Sequence, residues 1–245
     1  MPSTKNSVRI LVVDDDEDIR NNICDILENL GYAVDMAADG AAAMDLVRRQ
    51  RYDIALLDYM MPGMSGVELY RQIRQVLPDL IAIMITAYAG GDGAAQACDA
   101  GTWRVLPKPV DLQALLPLID EVSRWPIILV VDDDEAFCEN VWQTLRNHEY
   151  RVNLAHTEAE GVEKAGHSPY QTAIVDLGLK GGDGRHVIDI VKRVRPDARL
   201  LVATGNRDHG EQLAKEVEGL CYKPVDMDEL LRFLDRSPPG QETSS

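Results

Sequence analysis

Four cysteines in 245 residues, Cys24, Cys98, Cys138 and Cys221, are too few and too scattered to build a disulfide framework or a thiolate metal site. No two of them form a CxxC pair, and they read as small incidental thiols of a reduced protein. Positive charge is also scarce. Only 25 Lys and Arg stand against 41 Asp and Glu, a formal net charge of −16, and neutralising a phosphate backbone needs clustered basic side chains. A broad nucleic-acid surface is therefore excluded. Long apolar runs are missing too: no stretch approaches the roughly 18 residues of a membrane span, and the opening MPSTKNSVR lacks the apolar segment of a secretion signal. The expectation is a cytoplasmic chain with no membrane insertion and no nucleic-acid partner.

What the sequence does have, it has twice. ILVVDDDE at Ile10–Glu17 returns at Ile128–Glu135, an offset of 118. The same offset of 118 carries Asp58 in IALLDYM to Asp176 in TAIVDLG, and Thr86 to Thr204. Lys108-Pro109 recurs as Lys223-Pro224 at an offset of 115. A repeat this long is a duplicated domain rather than a solenoid unit. It divides the chain into residues 1–124, residues 125–236 and a disordered tail, SPPGQETSS, over 237–245. A composition of 45% hydrophobic and 27% charged residues suits two small globular domains.

Within each copy, short β-branched runs alternate with helical patterns. Strands are expected at Val8–Val13, Ala33–Ala37, Ile54–Leu57, Ile81–Ile85 and Val105–Leu106, then at Ile127–Val131, Arg151–Ala155, Thr172–Val175, Leu200–Ala203 and Leu220–Tyr222. Helices are expected near Gly40–Arg49, Gly66–Val76, Asp92–Ala100 and Asp111–Ser123, and near Thr157–Ala165, Gly184–Arg193, His209–Glu218 and Asp226–Asp235. A further helix follows each first strand. Ile19, Ile23, Ile26, Leu27 and Leu30 share its apolar face in the first copy, and Phe137, Val141 and Leu145 do so in the second. Five buried strands alternating with helices imply a parallel sheet covered on both faces.

Open parallel sheets gather their reactive groups at the carboxyl ends of the strands. There the sequence puts Asp14 and Asp15, Asp58, Thr86 and Lys108 in one copy, and Asp132, Asp133, Asp176, Thr204 and Lys223 in the other. Each residue alone has an ordinary explanation: an Asp or Thr after a strand often caps a helix, and a lone Lys is usually a solvated surface charge. The whole set recurring in order argues for chemistry. Three crowded carboxylates call for a cation, and Mg²⁺ suits a site with few protein ligands. Lys and Thr beside such a metal suit a phosphoryl group, with Asp58 and Asp176 as the nucleophiles.

These motifs resemble the receiver domains of two-component response regulators, the family that includes the single-domain chemotaxis regulator. The resemblance covers Val8–Val122 and Ile127–Leu234. It implies two tandem (βα)5 flavodoxin-like receiver domains, each an α/β unit with a five-stranded parallel sheet. It implies phosphorylation of Asp58 and Asp176 by a histidine kinase or histidine phosphotransfer protein, with Thr86, Lys108, Thr204 and Lys223 assisting. It further implies Mg²⁺ held directly by Asp15 and Asp133, with Asp14 and Asp132 nearby or acting through water, and by the backbone carbonyls of Met60 and Gly178. Such proteins are not enzymes in the usual sense, beyond slow self-phosphorylation from small donors and self-dephosphorylation. Output is expected through contact with a downstream protein, and receiver domains often pair with themselves.

The copies also depart from the family. Val105 and Leu220 stand where an aromatic usually reports phosphorylation, so the readout is expected to differ; Trp103 is a candidate substitute anchor, with a partly buried structural Trp the favoured reading. Tyr88 and Asn206, two residues after each Thr, predict unequal hydrolysis rates. Lys180 replaces the Pro62 of the first copy, which predicts a looser loop after Asp176. Two other readings stay open. One is a scaffold or dimerisation protein built from relic receivers. The other is an aspartyl-phosphate phosphatase, a class that usually carries its nucleophile in a DxD on the first strand and has a cap domain, whereas here the best lone acceptor follows the third strand and no cap region is left.

Overall fold

The computed structural model describes residues 8–87, 100–205, 210, 213 and 216–235. The expected helices near Asp92–Ala100 and His209–Glu218 fall largely outside these residues, as do Tyr88, Asn206, Cys98 and the tail. The chain divides into two compact units, Met1–Trp125 and Pro126–Ser245.

In the first unit the order is β1 (Arg9–Val13), α1 (Glu17–Asn29), β2 (Ala33–Ala37), α2 (Gly40–Arg49), β3 (Ile54–Asp58), α3 (Gly66–Val76), β4 (Ile81–Thr86), β5 (Arg104–Pro107) and α4 (Leu112–Val122). The second contains β6 (Ile127–Val131), α5 (Glu135–Asn147), β7 (Arg151–Ala155), α6 (Glu158–His167), β8 (Thr172–Val175), α7 (Gly184–Val194), β9 (Arg199–Thr204), β10 (Gly219–Tyr222) and α8 (Met227–Asp235). The sheets run β2-β1-β3-β4-β5 and β7-β6-β8-β9-β10, parallel throughout. This is the flavodoxin-like order, whose strand sequence reverses between the first and third strands and opens a crevice there.

The strands are apolar on both sides because both sides are covered. Along β1, Ile10 and Val12 face one way and pack with Ile23 and Leu27 of α1 and Leu115 and Ile119 of α4. Leu11 and Val13 face the other way, toward Val47 of α2 and Leu69 and Ile73 of α3. The second unit repeats this division, with Ile128 and Val130 against Val141, Leu145 and Leu230, and Leu129 and Val131 against Val187 and Val191. Period-two alternation thus survives as two cores rather than as inside and outside.

Helix ends follow local chemistry. Asp16 and Asp134 cap α1 and α5 by accepting from the amides two and three residues on, so the third Asp of each DDD run has the ordinary capping role. Ser65 and Glu68 form a reciprocal capping box at α3. At the end of α1, Tyr32 N bonds Leu27 O and Gly31 N bonds Glu28 O, the paired bonds that stop a helix at a glycine. One expectation is corrected here: Leu30, placed on the apolar face of this helix, is its C-cap and is 39% exposed, although its amide still bonds the Ile26 carbonyl.

Gly66 and Gly184 matter for the geometry that follows. A methyl group at either would collide with the backbone carbonyl of Asp58 or Asp176, so each helix start lies tight against its acidic strand end. Gly66→Ala is expected to destabilise the first unit by about 1–3 kcal/mol through overpacking, read as a lowered urea midpoint. Burial pushes the thiols of Cys24 and Cys138 up to about 11 and about 12, and the thiolate is the reactive form. Iodoacetamide at pH 8 followed by peptide mass mapping should therefore label these two only after denaturation.

Candidate functional site

Each sheet brings its acidic residues to one end. Asp14 and Asp132 follow β1 and β6, held by continued ladder bonds from their amides to Ala37 O and Ala155 O. Asp58 ends β3, and Asp176 follows β8. Thr86 and Thr204 end β4 and β9, and their carbonyls accept from the amides of Lys108 (2.7 Å) and Lys223 (3.0 Å). That bond extends the sheet by one residue and turns each lysine toward the carboxylates. In both units the lysine is joined to the following proline by a cis peptide.

In the first unit the Lys108 ammonium bridges two buried carboxylates, 2.8 Å from Asp14 Oδ2 and 2.9 Å from Asp58 Oδ2. The remaining oxygens are held by backbone: Asp14 Oδ1 accepts from Asp16 N at 3.0 Å, and Asp58 Oδ1 from Met60 N at 3.3 Å. The second unit repeats the pattern. Lys223 lies 2.7 Å from Asp132 Oδ2 and 2.7 Å from Asp176 Oδ2, while Asp134 N and Gly178 N each donate at 3.0 Å to Asp132 Oδ1 and Asp176 Oδ1. Asp15 is exposed and Asp133 half-buried, each beside its buried partners, with ligand oxygens of the three carboxylates within 4.8 Å of one another in both units. The sequence-expected carboxylates and lysines therefore converge in both copies. Thr86 and Thr204 are buried alongside, at the ends of the neighbouring strands.

Electrostatics follow from burial. Desolvation raises the proton affinity of Asp58 and Asp132 above the usual carboxylate range, against the opposing pull of Lys108 and Lys223. Burial works to lower the two lysines, but the paired carboxylates outweigh it and both are raised. At each site the carboxylates outnumber the neighbouring cations, an imbalance that an oxygen-seeking divalent cation would offset. The donor set fits such an ion: three hard carboxylates whose ligand oxygens lie within 4.8 Å of one another, with Asp15 exposed and Asp133 partly so.

Several contacts were not evident from the motifs. Arg20 donates to the carbonyl of Asp14 at 2.7 Å, and its counterpart is Cys138, whose thiol faces the Asp132 carbonyl at 3.3 Å. Lys223 also sits 5.0 Å above the ring of Phe137, where the first copy has Ile19. Lys180 reaches Asp133 at 3.2 Å. The loop bearing Lys180 is also anchored: Glu158 accepts from Asp183 N at 2.8 Å and meets His186 Nδ1 at 2.7 Å. The tie comes from α6, at a position where the first copy has Gly40, which has no side chain to offer. Arg20, Cys138, Phe137, Lys180 and Glu158 all occupy positions at which the two copies differ.

The output side shows where the departures go. Val105 and Leu220 are partly buried and pack onto the cores shared with α3 and α7. Trp103 is a packing residue: it meets Trp125 edge-on at 5.0 Å and carries the Arg104 guanidinium at 4.8 Å over its ring.

Comparison with known proteins agrees with this geometry. The response regulator receiver domain family matches residues 10–120 and again 128–235. A response regulator receiver protein of Anaeromyxobacter sp. (strain Fw109-5) is 34% identical over 232 residues, 93% of this chain and 94% of that protein. Response regulator MprA of Mycobacterium sp. (strain KMS) is 42% identical over 117 residues, 48% of this chain and 51% of the relative, so the chain spans about half of that protein's length. A receiver domain protein from Methanospirillum hungatei, known from a crystal structure, aligns at 34% identity and a TM-score of 0.46 over 47% of this chain and 93% of that one. No helix among the described residues is long and apolar enough to cross a membrane. With a match over each unit and a relative spanning nearly the whole chain, the protein belongs to the response regulator receiver domain family and carries that family's fold twice.

Proposed function

We propose that the chain is a tandem phosphoacceptor of a phosphorelay: Asp58 and Asp176 each take a phosphoryl group from a histidine kinase or histidine phosphotransfer protein, and the result is read by contact with another protein. The observation that carries this reading is the lysine shared by two buried carboxylates in both units. The carboxylate oxygen of Asp58 attacks phosphorus, the phosphorus–nitrogen bond of the donor histidine breaks, and an acyl phosphate forms. Lys108 is already hydrogen-bonded to Asp58 and stabilises charge gathering on the transferred oxygens. The Met60 amide orients the other oxygen. Return follows when water attacks phosphorus, releasing inorganic phosphate and restoring the carboxylate. Asp176, Lys223 and Gly178 act likewise.

Asp15 and Asp133 would hold Mg²⁺ directly, with Asp14 and Asp132 oriented nearby and the carbonyls of Met60 and Gly178 completing the protein donors. When bound, the ion supplies a divalent charge to a phosphoryl oxygen. The chemistry is the protein's own modification and its reversal rather than turnover of a separate substrate. Phosphorylation adds a dianion beside Lys108 or Lys223, draws the ammonium from the neighbouring carboxylate and shifts the loops that depend on that pairing. A downstream protein or a second copy of the chain would read the altered surface.

With acetyl phosphate and Mg²⁺, intact mass should show two added phosphoryl groups on the wild type, one on Asp58→Asn, one on Asp176→Asn and none on the double variant. A double variant that still gains both groups would contradict the reading. Lys108→Met should destabilise the metal-free first unit by about 3 kcal/mol, the low end for stranding a buried charge, because the Lys108 side chain is 18% exposed. Urea unfolding with and without Mg²⁺ checks this, and the ion should recover part of the loss.

A further inference from the structure

The two acidic sites differ at one carboxylate. In the first, Lys108 serves Asp14 and Asp58, and no ammonium among the described residues is paired with Asp15. In the second, Lys223 serves Asp132 and Asp176, and a second ammonium, Lys180, stands 3.2 Å from Oδ2 of Asp133. Lys180 occupies the position held in the first unit by Pro62, which has no charge to offer. Arg20 brings a further positive charge to the first site, but it bonds the backbone carbonyl of Asp14 and not a carboxylate oxygen of the cluster.

The loop holds Lys180 over the site. Gly181 turns the chain with φ +74° immediately after it, and Glu158 ties the far end of the loop through Asp183 N. The result is an open concavity lined by Asp133, Asp134, Glu135, Ala136, Lys180 and Lys223. Lys180 is itself 85% exposed while Asp133 is only 15% exposed, so the ammonium enters from solvent and rests on a carboxylate that belongs to the site wall. A solvent-screened pair of this kind is weak and breakable. It competes with a divalent ion without sealing the site.

We propose that Lys180 is an internal competitor for the metal position at Asp133, so that the second unit binds Mg²⁺ more weakly than the first. This inference rests on the reading of both clusters as divalent-ion sites. To bind there, the ion must displace the ammonium from Asp133 and then tolerate a positive charge tethered beside it. At the first site no ammonium among the described residues has to leave Asp15, where Pro62 stands in place of Lys180. The physiological consequence is an order of charging: as free Mg²⁺ falls, the second acceptor loses competence while the first retains it, and one chain reports two thresholds.

The test is an Mg²⁺ titration of the full-length protein by amide NMR. Met60 N–H reports the first site and Gly178 N–H the second, since each donates to the acceptor carboxylate of its own unit. In the wild type the Gly178 amide should reach its midpoint at roughly fivefold more Mg²⁺ than Met60. Lys180→Met, which keeps the aliphatic stem, should bring the two midpoints within about twofold, and Lys180→Arg should retain the gap. The Met60 curve should not move in either variant, and the remaining amides of the second unit should keep their wild-type shifts, which shows that its fold is intact. Coincident midpoints in the wild type, or a gap unchanged in Lys180→Met, would overturn the proposal. Failure of both amides to respond in any variant would overturn it as well, with a different signature: the divalent-ion reading itself would then be wrong.

Discussion

One ammonium shared between two buried carboxylates is the interaction on which each unit depends. Asp14 and Asp58 are 2% and 4% exposed, and two anions at that depth without a counter-charge would be costly. Lys108 makes them compatible, and it can do so only because β5 brings it beside β4 and a ladder bond to Thr86 aims it inward. The sheet order supplies the rest, since the reversal between β1 and β3 places the two acidic strand ends side by side. Fold and site are therefore one construction: alter the register of β5 and the carboxylates lose their partner.

The same pairing leaves the site poised. Lys108 neutralises only part of the cluster, so the remaining negative charge favours a divalent ion, and the ion in turn favours a phosphoryl group that would otherwise be repelled. A phosphate on Asp58, the proposed acceptor, would compete for the ammonium already in place. The proposed switch is a redistribution of one positive charge among neighbouring acceptors, and duplication gives the chain two such sites with different neighbours.

Much of this was legible from sequence because burial and chemistry reinforced one another. Apolar runs such as ILVV and IALL marked strands covered on both faces, and the acids directly after them had to lie at the carboxyl edge. The recurrence of Asp, Asp, Thr and Lys in order identified the convergent set, which the structure gathers in both units. What stayed hidden depends on contacts between residues distant in sequence with no counterpart in the other copy. Glu158 reaching Asp183 N, Phe137 lying under Lys223 and Lys180 resting on Asp133 are set by loop paths and side-chain reach, which periodicity does not encode. Leu30 shows the opposite failure: its spacing is helical, yet the helix has ended there.

The central claim is that a phosphoryl group resides on Asp58 and Asp176 as an acyl phosphate. The most direct measurement is to phosphorylate the protein, reduce it with borohydride, which converts an aspartyl phosphate to homoserine, and map the peptides by mass. The account expects homoserine at positions 58 and 176 and nowhere else. Homoserine at Asp14, Asp15, Asp132 or Asp133, or phosphate retained on a histidine or hydroxyl residue, would contradict it.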